Sequence, residues 1–258
     1  NWIGAGSWEL VLDRTPPVTA LDSLEPIQQS TAFQLQWSGS DNLSGIEYHE
    51  LQSQIGTGGW SDILPNPSGT DNSIWFVGQS GTQYNFRMRG VDYAGNQESF
   101  PPDAETSTDI PDAATICSTP DAWDDTGDDN TPNNATVIEV NEPAKIHNFC
   151  NPLTNDRLGD EDWVKFNIVT GEDYIITSIP LSDMTGAILE LYAADGTTLI
   201  TSAQSNMIGE KARIIWTSDR TDQVYLRVRH LDGNIAGNIV SYELKINNFW
   251  PIFLPLIR

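Results

Sequence analysis

The residues best suited to chemistry are aspartates crowded into the middle of the chain. Five lie within nine positions, and two more come just before Trp163. The seven are Asp121, Asp124, Asp125, Asp128, Asp129, Asp160 and Asp162. Calcium takes about six to eight hard oxygen ligands in flexible geometry, and close carboxylates repel one another unless a cation neutralises them. The cluster therefore predicts a structural Ca²⁺ site. The alternative is a solvated acidic loop whose carboxylates cap backbone N–H groups.

Residue patterns typical of catalysis do not occur in the sequence. The three histidines, His49, His147 and His230, form no His-Glu-x-x-His pair, and there is no Gly-x-Ser-x-Gly elbow, P-loop or dinucleotide fingerprint. Asp41 and Asp92 could be a carboxylate pair, but both lie in turn motifs where Asp accepts backbone hydrogen bonds. We therefore predict no catalytic residue and no enzymatic activity within this chain.

Most of the secondary-structure elements that must position these residues are predicted to be strands. Runs 33–37 and 84–91 alternate apolar and polar side chains with period two, as do several runs after residue 137, among them 138–140. Asp195-Gly196 predicts a hairpin turn. The only helix expected is a short one near 131–135, capped by Asp129 or Asn130. The fold class predicted is all-β, with two β-sandwich domains in tandem.

The sequence divides into four segments. Residues 1–14 are expected to be a lead-in strand or the end of a missing upstream domain. Residues 15–112 are expected to form the first sandwich, ending in a linker rich in Pro, Asp, Ser and Thr. Residues 113–248 are expected to form the second sandwich, of jelly-roll type, and residues 249–258 form an apolar tail. The opening, without Met or a basic segment, is interpreted as a mature or trimmed product.

The first sandwich resembles a bacterial fibronectin type III or Ig-like module of secreted proteins. The motifs that carry the resemblance are Thr15-Pro16-Pro17, Trp37-Ser38-Gly39-Ser40-Asp41, Ser44-Gly45-Ile46, Tyr84-Asn85-Phe86-Arg87-Met88-Arg89 and Val91-Asp92-Tyr93-Ala94-Gly95-Asn96. The resemblance implies that Trp37 lies in the core, that the strand containing Phe86 packs opposite it, and that residues 92–96 form a tight turn.

The second sandwich resembles the bacterial pre-peptidase C-terminal domain. The motifs that carry the resemblance are Asp121-Ala122-Trp123-Asp124-Asp125, Asn134-Ala135-Thr136-Val137-Ile138, His147-Asn148-Phe149-Cys150, Asp160-Glu161-Asp162-Trp163-Val164-Lys165-Phe166, Leu189-Glu190-Leu191-Tyr192, Asp195-Gly196, Tyr225-Leu226-Arg227-Val228 and Tyr242-Glu243-Leu244. The resemblance implies a non-catalytic accessory domain of secreted peptidases and other exported proteins. Some members of this family bind calcium or protein substrates.

Charge and cysteine usage limit the partners and the compartment. Thirteen Lys and Arg against 36 Asp and Glu give 13 − 36 = −23, a balance that argues against nucleic acid and anionic lipid as partners. No apolar run reaches the ~18–20 residues needed to span a bilayer. Cys117 and Cys150 bracket the acidic stretch. We predict a disulfide between them, with two buried thiols as the alternative. A disulfide implies an oxidising, extracellular or cell-surface location.

Aromatic and apolar side chains are the candidates for partner contact. Trp60 follows Gly58-Gly59 and is expected to be exposed, although burial in the sandwich is the alternative. The tail supplies Phe249, Trp250, Phe253 and Leu254, which would be an aggregation hazard unless protein covers them. The expected partner is a protein or polysaccharide at the cell surface, or a second copy of the chain.

Together these features predict a non-catalytic extracellular accessory, binding or structural protein, with Ca²⁺ stabilising the second domain. Two alternatives stay open at this point. The chain could be the C-terminal accessory fragment of a secreted hydrolase, such as a peptidase. It could also be a subunit of a surface layer or extracellular filament, assembled through strand edges and the apolar tail.

Overall fold

The computed structural model describes residues 11–119, 121, 129–150 and 159–249, which fall into two compact units. The first unit comprises the residues up to 26, with 34–76 and 83–109. The second comprises 27–33, 77–82 and the residues from 110 onward. Across the described residues, no helix is both long and apolar enough to cross a membrane.

The first seven strands, whose residues fall mainly in the first unit, form two sheets. They are β1 (Val18–Leu21), β2 (Ala32–Ser40), β3 (Ile46–Ile55), β4 (Trp60–Ile63), β5 (Ser73–Val77), β6 (Thr82–Asp92) and β7 (Thr106–Ile110). One sheet has the order β1-β2-β5 and the other β4-β3-β6-β7. Period-two alternation turns Leu35 and Trp37 of β2 and Phe86 and Met88 of β6 into the core. The core position expected for Trp37 is thereby confirmed.

The described residues from 111 onward form nine further strands, a short helix and a 3₁₀ turn. The strands are β8 (Thr136–Val137), β9 (Lys145–Asn148), β10 (Glu161–Ile168), β11 (Asp173–Pro180), β12 (Ala187–Tyr192), β13 (Leu199–Gln204), β14 (Ala212–Thr217), β15 (Asp222–His230) and β16 (Ser241–Phe249). Helix α1 spans Ala113–Ile116, and a 3₁₀ turn spans Pro132–Asn134. The sheets have the orders β13-β12-β15-β10-β8 and β14-β11-β16-β9. The prediction of an all-β chain with two sandwiches is confirmed.

The core of the second unit lies between its two sheets. Val164 and Phe166 of β10 alternate with outward side chains, and Leu226 and Val228 of β15 do the same beside them. Tyr242 of β16 belongs to the opposite sheet and is fully buried. The inward side chains of both sheets therefore form one apolar layer, which fixes the ends of β9, β10 and β16 relative to one another.

Two local predictions differ from the structure. The short helix near 131–135 exists as the 3₁₀ turn, but its N-cap is Thr131, which makes no side-chain cap bond. The strand expected at 138–140 lies instead at β8, which pairs in parallel with β10. Ile138 still donates its backbone N–H to the Lys165 carbonyl of β10 at 3.0 Å, and Ile138 and Val140 pack against the core.

Helix α1 is stabilised by an Asp N-cap. Asp112 has extended backbone, and its Oδ1 accepts a hydrogen bond from the Thr115 backbone N–H at 2.8 Å. Replacing such a cap with alanine removes a partner for an otherwise unpaired helix N–H. We expect Asp112→Ala to lower the free energy of unfolding by about 1 kcal/mol in urea denaturation. Asp112→Asn should remain within a few tenths of wild type, and equal losses in both variants would contradict the cap.

Candidate metal centre

Four of the seven aspartates predicted as calcium ligands lie in the described part of the chain. All four are buried: Asp121, Asp129, Asp160 and Asp162 are 7%, 1%, 3% and 0% exposed. Buried carboxylates are rare unless a cation or hydrogen bonds compensate them. The other three, Asp124, Asp125 and Asp128, lie outside the described residues.

Three strands of the second unit bring the central groups together. Asp162 is the second residue of β10 and points inward. His147 of β9 is paired in register with Tyr242 of β16, and their rings stack with centroids 5.2 Å apart. Asp121 approaches from the segment after α1, where its Oδ2 accepts a hydrogen bond from the Asn148 backbone N–H at 3.1 Å.

Asp121, His147 and Asp162 each offer one ligand atom, and these atoms lie within 4.8 Å of one another. The His147 Nδ1 atom is 3.4 Å from Asp121 Oδ2 and 3.7 Å from Asp162 Oδ1. Both separations exceed the usual hydrogen-bond length of about 2.7–3.2 Å. His147 Nδ1 therefore lies near both carboxylates, slightly beyond hydrogen-bond contact with each.

One carboxylate oxygen at this cluster lacks a hydrogen-bond donor among the described residues. Asp162 accepts the Tyr242 hydroxyl hydrogen through Oδ2 at 2.5 Å, but its Oδ1 has no such partner. The carboxylates of Asp162 and Asp121 are hard oxygen donors of the kind that Ca²⁺ prefers, whereas His147 offers a nitrogen. The described side chains could therefore supply part of the six to eight oxygens that Ca²⁺ takes.

The pKa values at the cluster are shifted because several acidic side chains are buried around the imidazole of His147. Burial would lower the pKa of His147, but the carboxylates of Asp121 and Asp162 outweigh it and raise that pKa to about 9. Burial also raises the pKa of Asp162, against the opposing effect of His147. Burial and the Asp162 carboxylate hold the pKa of Tyr242 well above its usual range. Without an ion, the His147 imidazolium is therefore the charge that offsets these acids.

Asp129 and Asp160 occupy different surroundings. The charge of Asp129 acts on the Tyr242 hydroxyl, and its backbone carbonyl accepts the Trp163 N–H at 3.1 Å. Asp160 lines a cavity of about 120 Å³ together with Arg229. Asp121 and Asp162 thus both lie beside His147, whereas Asp129 is placed only by its effect on Tyr242 and Asp160 lines this cavity.

Sequence reasoning missed three members of this centre: His147, Asn148 and Tyr242. The sequence shows His147 only as a histidine outside any catalytic pattern, and it shows all three residues only within motifs of the resemblance. The signal available was the run of polar residues His147-Asn148 inside an otherwise apolar strand end, directly before Cys150. The partner on β16 depends on strand register, which no local pattern reveals.

The disulfide between Cys117 and Cys150 is present, and the prediction of this pair is confirmed. The two Cα atoms are 5.2 Å apart, and both residues are fully buried. The bond joins the end of α1 to the residue two positions after Asn148. It therefore holds the segment that leads to Asp121 against the strand that presents His147.

A second group of carboxylates lies in the first unit. Ligand atoms of Asp13, Asp41 and Asp92 come within 4.8 Å of one another. Asp41 Oδ2 accepts the backbone N–H groups of Leu43 and Gly45, and Asp92 Oδ1 accepts those of Ala94 and Asn96. The prediction that Asp41 and Asp92 cap turns is confirmed.

Two of the candidates for partner contact, Trp60 and Phe249, lie at strand ends. Trp60 begins β4 and is half-buried, with the Arg87 guanidinium 4.2 Å from its ring centroid. Phe249 ends β16 and is 44% exposed. Trp250, Phe253 and Leu254 lie outside the described residues.

No family model matches the chain, and no curated protein matches it. Among solved structures, the pre-peptidase C-terminal domain of a collagenase from Bacillus anthracis aligns at 15% identity and a TM-score of 0.34, covering 44% of this chain and 94% of that one. A fibronectin type III domain of human collagen alpha-1(XX) aligns at 22% identity and a TM-score of 0.28, covering 41% and 94%. A two-domain fibronectin type III segment of chicken tenascin aligns at 10% identity and a TM-score of 0.27. That alignment covers 92% of this chain and 99% of the tenascin segment. Both kinds of domain that the sequence motifs resemble are thus among the structural neighbours. Likenesses at this level concern the fold alone.

Proposed function

We propose that this chain is a non-catalytic accessory module of an extracellular protein, and that Ca²⁺ bound by buried oxygens stabilises its second unit. The observation that carries the calcium part is Asp162 Oδ1, a fully buried carboxylate oxygen without a hydrogen-bond donor in the described structure. Leaving such an oxygen buried costs free energy, and a cation removes that cost. Asp121 would supply a further oxygen to the same ion.

The disulfide and the negative net charge support the extracellular part of the proposal. A buried disulfide forms and persists in an oxidising compartment. The strong negative charge favours solubility and disfavours anionic partners. Tandem sandwiches that present loops and strand edges suit binding, and the proposed partner is a protein or polysaccharide at the cell surface.

A melting experiment with chelator tests the calcium proposal. The full chain is melted in EDTA and then after calcium is restored at about one hundred times its Kd. Saturation at that level contributes about 3 kcal/mol, so the melting temperature of the second unit should rise by roughly 5–10 °C. Magnesium serves as the matched control, because it demands smaller octahedral sites and gives up its waters reluctantly. An identical melt in EDTA and in calcium would overturn the proposal.

A further inference from the structure

An open groove of about 190 Å³ lies beside β16 in the second unit. Leu244 and Ile246 of β16 line it on one side, and Val137 of β8 and parts of segment 138–145 line it on the other. Val137 is 55% exposed, so part of this apolar lining faces solvent. The volume is below the ~300–1,000 Å³ of small-molecule pockets. The groove therefore suits apolar side chains of a polypeptide better than a whole small ligand.

The segment that forms one wall of the groove is fixed to both sheets. Ile138 donates its backbone N–H to the Lys165 carbonyl of β10 at 3.0 Å, and Asn141 donates its own to the Ile246 carbonyl of β16 at 2.8 Å. Asn141 has a φ of 69°, in the left-handed region that Asn adopts more readily than most residues. Its Oδ1 accepts the Asn248 backbone N–H at 3.1 Å. These hydrogen bonds hold the wall beside β16, so the groove is preformed.

The chain leaves β16 close to this groove. Phe249, the last residue of β16, is three positions after Ile246, which is about 10 Å along a strand. Residues 250–258 can extend about 30 Å, which is enough to reverse direction and return along the groove. Pro251 and Pro255 have no N–H to donate to a strand ladder, and proline favours turns. The sequence therefore favours a turn after β16 over continuation of the strand.

The side chains of residues 250–258 match the groove in polarity and charge. Six of the nine are Trp, Phe, Leu or Ile, and the single charged side chain is that of Arg258. Such an apolar run is an aggregation hazard when water surrounds it. Glu139 and Glu142, both exposed, line the groove with one cation, Lys145. The lining is therefore apolar with a net negative charge, which favours a segment that is apolar and carries a cation.

We propose that residues 250–258 dock in this groove of their own chain, with apolar side chains from 252–257 against Val137, Leu244 and Ile246. The inference goes beyond the calcium proposal, because no residue of the groove belongs to the carboxylate cluster. Docking covers this side of the second sandwich and removes the apolar segment from water. It gives the segment an intramolecular role in place of contact with a partner.

Photo-crosslinking of the full chain tests the docking. Phe253→p-benzoylphenylalanine places a photoreactive group in the segment, and mass spectrometry after irradiation and digestion locates the bonds that it forms. We expect crosslinks to residues 137–145 or 244–246 of the same chain. Irradiation in EDTA and in calcium should give the same crosslinks, so failure of the calcium site leaves this result unchanged. The proposal is overturned by crosslinks elsewhere, by the absence of crosslinks, or by crosslinks between chains that double the mass.

Two variants with the same change of charge locate the docking. Val137→Lys places an ammonium group in the groove, and the yield of crosslinks should fall about tenfold or more, because a charge opposes apolar packing. Ile215→Lys, at a 65% exposed position of β14, makes the same change outside the groove and should leave the yield unchanged. Both positions are exposed, so both variants should fold. An undiminished yield in Val137→Lys, or equal losses in the two variants, would contradict docking in the groove.

Discussion

Replacing Asp162 with asparagine should abolish the response of the second unit to calcium and lower the melting temperature of the calcium-free chain. Asn keeps an oxygen for the Tyr242 hydroxyl but removes the charge. Without an ion, the Asp162 carboxylate is one of the two that offset the buried His147 imidazolium. Removing one partner of a buried charge pair leaves the other charge uncompensated and destabilises the fold. The difference between calcium and EDTA should fall from about 3 kcal/mol to near zero.

Asp183→Asn is the matched control for this prediction. Asp183 is an exposed aspartate in the same unit, between β11 and β12. The control should behave like wild type in EDTA and in calcium, because it removes the same charge from a solvated position. If Asp162→Asn still gained full stability from calcium, Asp162 would not be a ligand. If Asp183→Asn lost the response too, the effect would come from overall charge.

Removing the disulfide should cost more stability than any other change considered. The bond closes a loop with a sequence separation of 33 residues, which the chain-entropy model values at about 3–4 kcal/mol. We expect the double variant Cys117→Ala with Cys150→Ala to lose about that much in urea unfolding. Its calcium affinity should also fall, because the bond positions the segment that leads to Asp121.

Reduction provides the control for the disulfide prediction. Wild-type chain that is unfolded, reduced and refolded in the presence of reductant should match the double alanine variant. The variant itself should be insensitive to the same treatment. Equal stability of oxidised and reduced wild type would show that the bond does not constrain the second unit. An unchanged calcium affinity would show that Asp121 is positioned without it.

Most of the fold could be predicted because a strand with one buried and one exposed face shows alternating apolar and polar residues in its own sequence. The alternation in β2 and β6, and the Asp195-Gly196 turn, are properties of neighbouring residues. In that turn Asp195 accepts the N–H groups of Thr197 and Thr198, as its residue type predicts. The sequence did not predict helix α1, because four residues are too few to show helical periodicity. The run 138–140 was placed in a strand because period two marks burial as well as pairing.

The candidate site was predictable only in part, for a related reason. Aspartates near one another in sequence pointed to Asp121 and Asp162, since crowded carboxylates need compensation wherever the fold places them. The participation of His147, Asn148 and Tyr242 depends on the pairing of β9 with β16 and on which face each strand presents. A one-residue slip in register would point the Tyr242 side chain out of the core. Long-range register is therefore the information that local pattern did not contain.

Isothermal titration of the metal-free full chain with calcium tests the central claim most directly. The chain is first treated with EDTA and then freed of it, and wild type is compared with Asp162→Asn and Asp183→Asn. The account predicts one saturable calcium site per chain in wild type and in Asp183→Asn, and none in Asp162→Asn. No binding in wild type, or equal binding in Asp162→Asn, would contradict a calcium centre at the buried carboxylates.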